Sequence, residues 1–67
     1  MGKTLIYLST YVDGNKRADV VYDEIKKTYG IEMFINNELK RTEFFKGRSQ
    51  AYAESAAENF VMGVKEL

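Results

Sequence analysis

The sequence predicts an α+β fold in which an antiparallel β-meander of three or four strands is packed by one C-terminal helix. Three observations carry that expectation: a β-branched and aromatic opening that runs into Asp13-Gly14, a second alternating stretch punctuated by Asn36-Asn37, and an alanine- and glutamate-rich finish with a long apolar stripe. The competing arrangement is a β-α-β-β-α two-layer sandwich, and the two differ in what residues 17–29 do. A chain of 67 residues has room for one core, so residues 1–67 read as a single domain.

The segment KTLIYLSTYV has the composition of a strand, and Asp13-Gly14 is a tight-turn signal. The next segment points two ways. Ala18, Val21, Tyr22, Ile25 and Tyr29 recur at helical spacing and are closed by Gly30. Against a helix, Lys16 and Arg17 would stand at the positive end of its dipole, no capping box is present, and Val20-Val21-Tyr22 after Asp-Gly-Asn reads as a hairpin return. With Asp13-Gly14 as a two-residue loop, Leu5, Tyr7 and Tyr11 share a face with Ala18, Val20 and Tyr22.

In YGIEMFINNELKRTEFF, Asn36 and Asn37 are able to take the left-handed conformations of a tight turn, a register that sets Glu32 against Arg41 and Phe34 against Leu39. From about Ser49 to Glu66 the chain reads as a helix. Its stripe is Tyr52, Ala56, Phe60 and Val64, flanked by Ala53, Ala57 and Leu67, with Glu54, Glu58 and Lys65 on the solvent side. Tyr7, Tyr11, Tyr22 and Tyr29 are expected around the small core with their hydroxyls at its rim.

The residue types present limit the chemistry. Cysteine and histidine are both absent. Their absence excludes disulfides and thiolate sites and removes the commonest general base and transition-metal ligand. Glu54 and Glu58 lie one helical turn apart with Ser55 between, but that spacing is also what a solvated helix face produces. Asp19, Asp23 and Glu24 lack the glycine-containing spacing of a calcium loop. We therefore expect a non-enzymatic protein with no metal and no cofactor.

Ten basic and ten acidic residues cancel, so no global field steers the chain toward nucleic acid or an anionic membrane. The charge is nonetheless polarised. Lys40, Arg41, Lys46 and Arg48 stand against Glu43 within residues 39–48, and the final helix is acidic. Alternation puts Lys40 and Phe44 on one strand face, as basic and aromatic groups are combined on single-strand platforms. Lys40, Arg41, Phe44, Lys46 and Arg48 are thus the candidate partner-binding residues, while the plainer expectation is that the cations guard an exposed edge strand. Within the stretch KGRS, Ser49 is placed to cap the helix and Gly47 to turn the backbone; an anion pocket at the helix start is the other possibility.

The stretch YAESAAENFVMG, with INNELKRTEFFKGRSQ before it, resembles the C-terminal half of small uncharacterised proteins of tailed bacteriophages. The shared pattern is an alternating stretch, a short turn, and a helix of Tyr-Ala-Glu, small residues, Glu-Asn-aromatic and a later glycine, covering roughly residues 31–64. The resemblance implies a phage accessory protein and carries no family activity with it. The expected function is a small interaction module that binds or inhibits a host protein; alternatives are a nucleic-acid-binding module using residues 39–48 and a structural or virion-associated subunit. Small size and the alanines of the helix further suggest a homodimer through the helix face or an edge strand. No apolar run approaches the ~20 residues of a membrane span, and the expected location is the cytoplasm, the host's if the protein is phage-encoded.

Overall fold

The structure is a computed structural model, described over residues 4–64. Strands β1 (Leu5–Asp13), β2 (Lys16–Asp23), β3 (Thr28–Ile35) and β4 (Glu38–Phe45) are followed by helix α1 (Gln50–Val61). The strands form one antiparallel sheet in chain order, β1-β2-β3-β4. This is the meander with a C-terminal helix, and residues 17–29 are strand and turn. The physical reason is visible in the burial. Ala18 and Val20 on one face and Val21 on the other are all fully buried, as suits a central strand, whereas Ile25, needed for a helical stripe, is 74 % exposed on a turn.

Each turn has a chemical cause. The first loop is Gly14-Asn15, one residue later than expected, because Asp13 pairs with Lys16 and Gly14 supplies a φ of +62°. Asn36 and Asn37 take φ values of 54° and 65°, the left-handed pair of a type I′ hairpin. Between β2 and β3, the Asp23 carboxylate accepts from the amides of Ile25 (2.9 Å) and Lys26 (3.0 Å), an Asx turn that closes the chain back on itself. Lys27 completes that turn at φ 54°.

Helix α1 starts where Ser49 Oγ accepts from the Tyr52 amide. It stops at Val61 rather than near Glu66. Gly63 adopts φ +86°, and the amides of Met62, Gly63 and Val64 return to the carbonyls of Glu58, Phe60 and Asn59. The expected positions of Lys65, Glu66 and Leu67 lie outside the described residues. The buried stripe is Ala53, Ala57, Phe60 and Val61, whereas Tyr52 is half exposed and Val64 largely so. The helix is thus rotated from the expected stripe, which lets the two alanines lie close on the sheet while Phe60 fills the space beside them. Ala18, Val20, Ile31 and Met33 form the sheet side of this core, with Tyr11, Tyr29, Ile35 and Phe45 packed around it.

Two β-bulges decide which side chains share a face. In β1 the register slips between Tyr7 and Ser9, making Leu8 an extra residue; in β4 it slips opposite Met33 and Phe34, making Lys40 the extra one. A single extra residue moves every later side chain to the other face. Tyr11 therefore joins Ala18 toward the helix as expected, but Leu5 and Tyr7 do not; they pair with Asp23 and Val21 on the opposite face. Phe34 does meet Leu39, yet Glu32 meets Thr42, and Arg41 meets Met33.

Candidate functional site: the uncovered face of the sheet

Helix α1 packs on β2, β3 and β1 from one side, so among the described residues the other face of the sheet has no layer over it. The pairing registers order that face into rows that run across all four strands. One row is Tyr7, Val21, Gly30 and Phe44; the next is Thr10, Asp19, Glu32 and Thr42; the third is Val12, Arg17, Phe34 and Leu39. Two apolar or aromatic rows therefore flank a polar one, with a spacing of roughly 7 Å set by two residues of strand rise.

The first row is closely built. Val21 has no exposed surface although no helix lies over it. A Cβ at Gly30 would stand 2.6 Å from Phe44 Cδ1, so the glycine makes room for the aromatic ring to lie across the strand. Tyr7 at 48 % and Phe44 at 36 % exposure keep their outer surfaces open at the two edges of the row. The Lys26 ammonium lies 5.2 Å from the Phe44 ring centroid.

In the polar row, Asp19 is buried and already engaged. It accepts from Thr10 Oγ1 at 3.0 Å and lies 3.5 Å from Arg17 Nε. Tyr7 has its hydroxyl pKa raised, by burial first and then by a hydrogen bond with Glu32. In the third row the Arg17 guanidinium stacks over Phe34 at 3.9 Å from the centroid, while Val12 and Leu39 stand open at its ends.

The residues singled out in the sequence are not gathered on one surface. Phe44 belongs to the uncovered face. Lys40 does not share it: as the bulge residue it pairs with Glu38, whose carboxyl it holds below its ordinary range and which stands opposite Ile35 on the helix side. Arg41 also faces the helix side, opposite Met33, and pairs with Glu43 at 3.3 Å. Arg48 lies over the Tyr52 ring at 4.9 Å, and Lys46 sits exposed in the turn before α1, where Gly47 takes φ +76°. Two of the four cations of residues 39–48, Lys40 and Arg41, are thus paired with carboxylates along edge strand β4. That is the arrangement expected of an edge guarded against further pairing.

Glu54 is likewise not a solvent-side residue. Gln50 Nε2 (2.8 Å), Tyr11 Oη (2.9 Å) and Ser9 Oγ (3.3 Å) all donate to its carboxylate, tying α1 to β1. These bonds, Gln50 first, hold its carboxyl below the ordinary range, and the Glu54 bond in turn raises the Tyr11 hydroxyl. Glu58, one turn on, is exposed and also acts on the Tyr11 hydroxyl through its charge. Asp19 and Asp23 are taken up by Thr10 and the β2–β3 turn, and among the described residues no three His, Cys, Asp or Glu side chains are grouped to hold a metal. A cleft of about 280 Å³ between α1 and β4 is lined by Phe45, Tyr52, Ser55, Ala56 and Asn59, which supply no carboxylate or amine.

The sequence signal for the uncovered face was weak because its residues come from all four strands and the bulges break the alternation that would reveal them. Gly30 was the most readable trace, a glycine inside a strand pattern that marks a close approach. No helix among the described residues is long and apolar enough to cross a membrane. In comparison with known proteins, the chain matches no family model, no curated protein and no solved structure.

Proposed function

We propose that this chain is a small non-enzymatic interaction module that docks a protein partner on the uncovered face of its sheet. The observation that supports this is the pair of apolar rows with open ends, Tyr7 and Phe44 in one, Val12 and Leu39 in the other, on a face no layer of the described chain covers. Exposed apolar area organised in this way is a feature of interaction surfaces. The resemblance of residues 31–64 to small tailed-phage proteins makes a phage accessory protein that binds or inhibits a host protein the biological form of this reading.

A nucleic-acid partner is favoured by one feature, the cations stacked on Phe34, Phe44 and Tyr52. It is opposed by Asp19 and Glu32, which put negative charge in the middle row where phosphates would have to pass. The test is affinity capture by the tagged protein, compared with the variant Leu39→Glu and with the double variant Arg41→Glu/Arg48→Glu. Loss of the captured protein in the first and its retention in the second supports docking on the sheet face. The reverse result returns the basic strand as the working surface, and capture that fades steeply with salt and competes with single-stranded DNA or RNA indicates nucleic acid.

A further inference from the structure

The two edges of the sheet are chemically unlike. Edge strand β4 carries Glu38, Lys40, Arg41 and Glu43, whereas β1 has no charged residue over the eight positions 5–12, LIYLSTYV. Charges on an edge strand oppose further pairing; β1 lacks them over these positions, and no strand among the described residues pairs with its outer edge. Ile6, Tyr7, Leu8 and Val12 are all exposed along it.

The bulge at Leu8 gives β1 a second property. Before it, Leu5 and Tyr7 face the uncovered side and Ile6 the helix side; after it, Thr10 and Val12 face the uncovered side and Ser9 and Tyr11 the helix side. The strand is consequently symmetric about the Leu8–Ser9 bond. Placing a second β1 antiparallel about that point sets Leu5 against Val12, Tyr7 against Thr10, and Ile6 against Tyr11, each pair with both members on the same face. A strand of strict alternation has no such register about a peptide bond, because opposed residues would fall on opposite faces.

We propose that the protein forms a two-fold dimer through antiparallel pairing of β1 with β1 of a second copy, joining the two sheets edge to edge. A copy of the same strand is the occupant that fits: it opposes no charge to another, it matches face to face over the pairs above, and the zero net charge of the chain brings no long-range repulsion. Pairing of β1 with β4 of another copy would instead propagate into an open chain, and the charged β4 edge stands against it. The two-fold axis runs perpendicular to the sheet, so both helices lie on one side and the two uncovered faces merge into one surface on the other. An edge of nine residues is ~30 Å long and buries on the order of 1,000 Å², the low end of interface size, where association is weak and reversible.

Sedimentation of the full chain between about 1 and 500 µM is expected to show a monomer–dimer equilibrium in that range. Leu8→Lys, which brings two ammonium groups to the axis, and Val12→Lys are each expected to weaken it by at least ~10-fold, while Ile25→Lys, adding the same charge on the β2–β3 turn, leaves it unchanged. Circular dichroism reports whether each variant is folded, and Val12, 64 % exposed, carries the test if Leu8→Lys is not. Hydrogen exchange supplies the measurement on the unaltered chain: amides of β1, and not of β4, are expected to exchange more slowly as concentration rises. A monomer throughout, equal weakening by Ile25→Lys, or slowing confined to β4 overturns the proposal. None of these outcomes bears on partner docking at Leu39, so failure of one proposal leaves the other standing.

Discussion

The ring of Phe44 lies across the backbone of Gly30, so close that a Cβ at Gly30 would stand 2.6 Å from Phe44 Cδ1 and 2.5 Å from the Glu43 carbonyl oxygen. The ring has somewhere to go, but the carbonyl belongs to the β3–β4 ladder and has little freedom. Gly30→Ala is therefore expected to destabilise the fold by about 1–3 kcal/mol, the usual cost of overpacking, despite the better strand propensity of alanine. Urea unfolding measures this, and unchanged stability would mean that the aromatic row is loosely held.

Helix α1 and strand β1 are joined at Glu54, and the joint has a pH signature. Its carboxyl is held below the ordinary range by Gln50, Tyr11 and Ser9, so the folded state binds that proton more weakly than the unfolded chain does. The stabilisation is present above the ordinary carboxylate pKa and is lost as pH falls through the lowered one. Tyr11 has the opposite shift, with Glu54 as its leading cause; its contribution is complete below the ordinary tyrosine pKa and is lost as pH rises through the raised one. Glu54→Gln is expected to flatten the acid limb of thermal stability against pH, and Tyr11→Phe the alkaline limb. Melts at a series of pH values check both.

Phe60 is 1 % exposed and reaches the sheet between Ala57 and Val61, so Phe60→Ala is expected to cost about 3–5 kcal/mol, most of what a domain of this size possesses. Tyr52, which the expected stripe placed beside it, meets Phe45 edge-on at 5.2 Å and is 45 % exposed. Tyr52→Ala should cost clearly less. Comparison of the two by denaturant unfolding tests the rotation of the helix directly.

That rotation shows where sequence reasoning reached its limit. Gly14, Asn36-Asn37, Ser49 and Gly47 announced turns and a cap because each role depends on the local backbone, and the architecture followed from them. The bulges at Leu8 and Lys40 have no such local marker. They arise from how β1 and β4 fit their neighbours, and they moved Leu5, Tyr7, Lys40 and Arg41 off the faces that strict alternation assigns. Glu54 was misplaced for a related reason: helical spacing gives the relative positions of side chains, whereas the angle at which α1 sits on the sheet is set by Ala53 and Ala57 packing closely on it. The candidate site, assembled from four strands, inherited both uncertainties.

The β2–β3 turn offers a last test, because its two key residues act in opposite directions. Asp23 is buried and its Oδ1 accepts from the amides of Ile25 and Lys26, so Asp23→Ala leaves both without that partner and is expected to cost about 1–2 kcal/mol. Lys27 holds a left-handed φ of 54° with a side chain that gains nothing from it, a conformation that costs a non-glycine residue about 1 kcal/mol or more. Glycine adopts it freely, and its larger unfolded-state entropy offsets part of the relief. Lys27→Gly should therefore raise stability by up to ~1 kcal/mol, which for a domain of this length is a melting shift of roughly 4–8 °C at most. A lowered melting temperature for Lys27→Gly would mean that the entropy glycine adds to the unfolded chain outweighs the strain relieved at this φ.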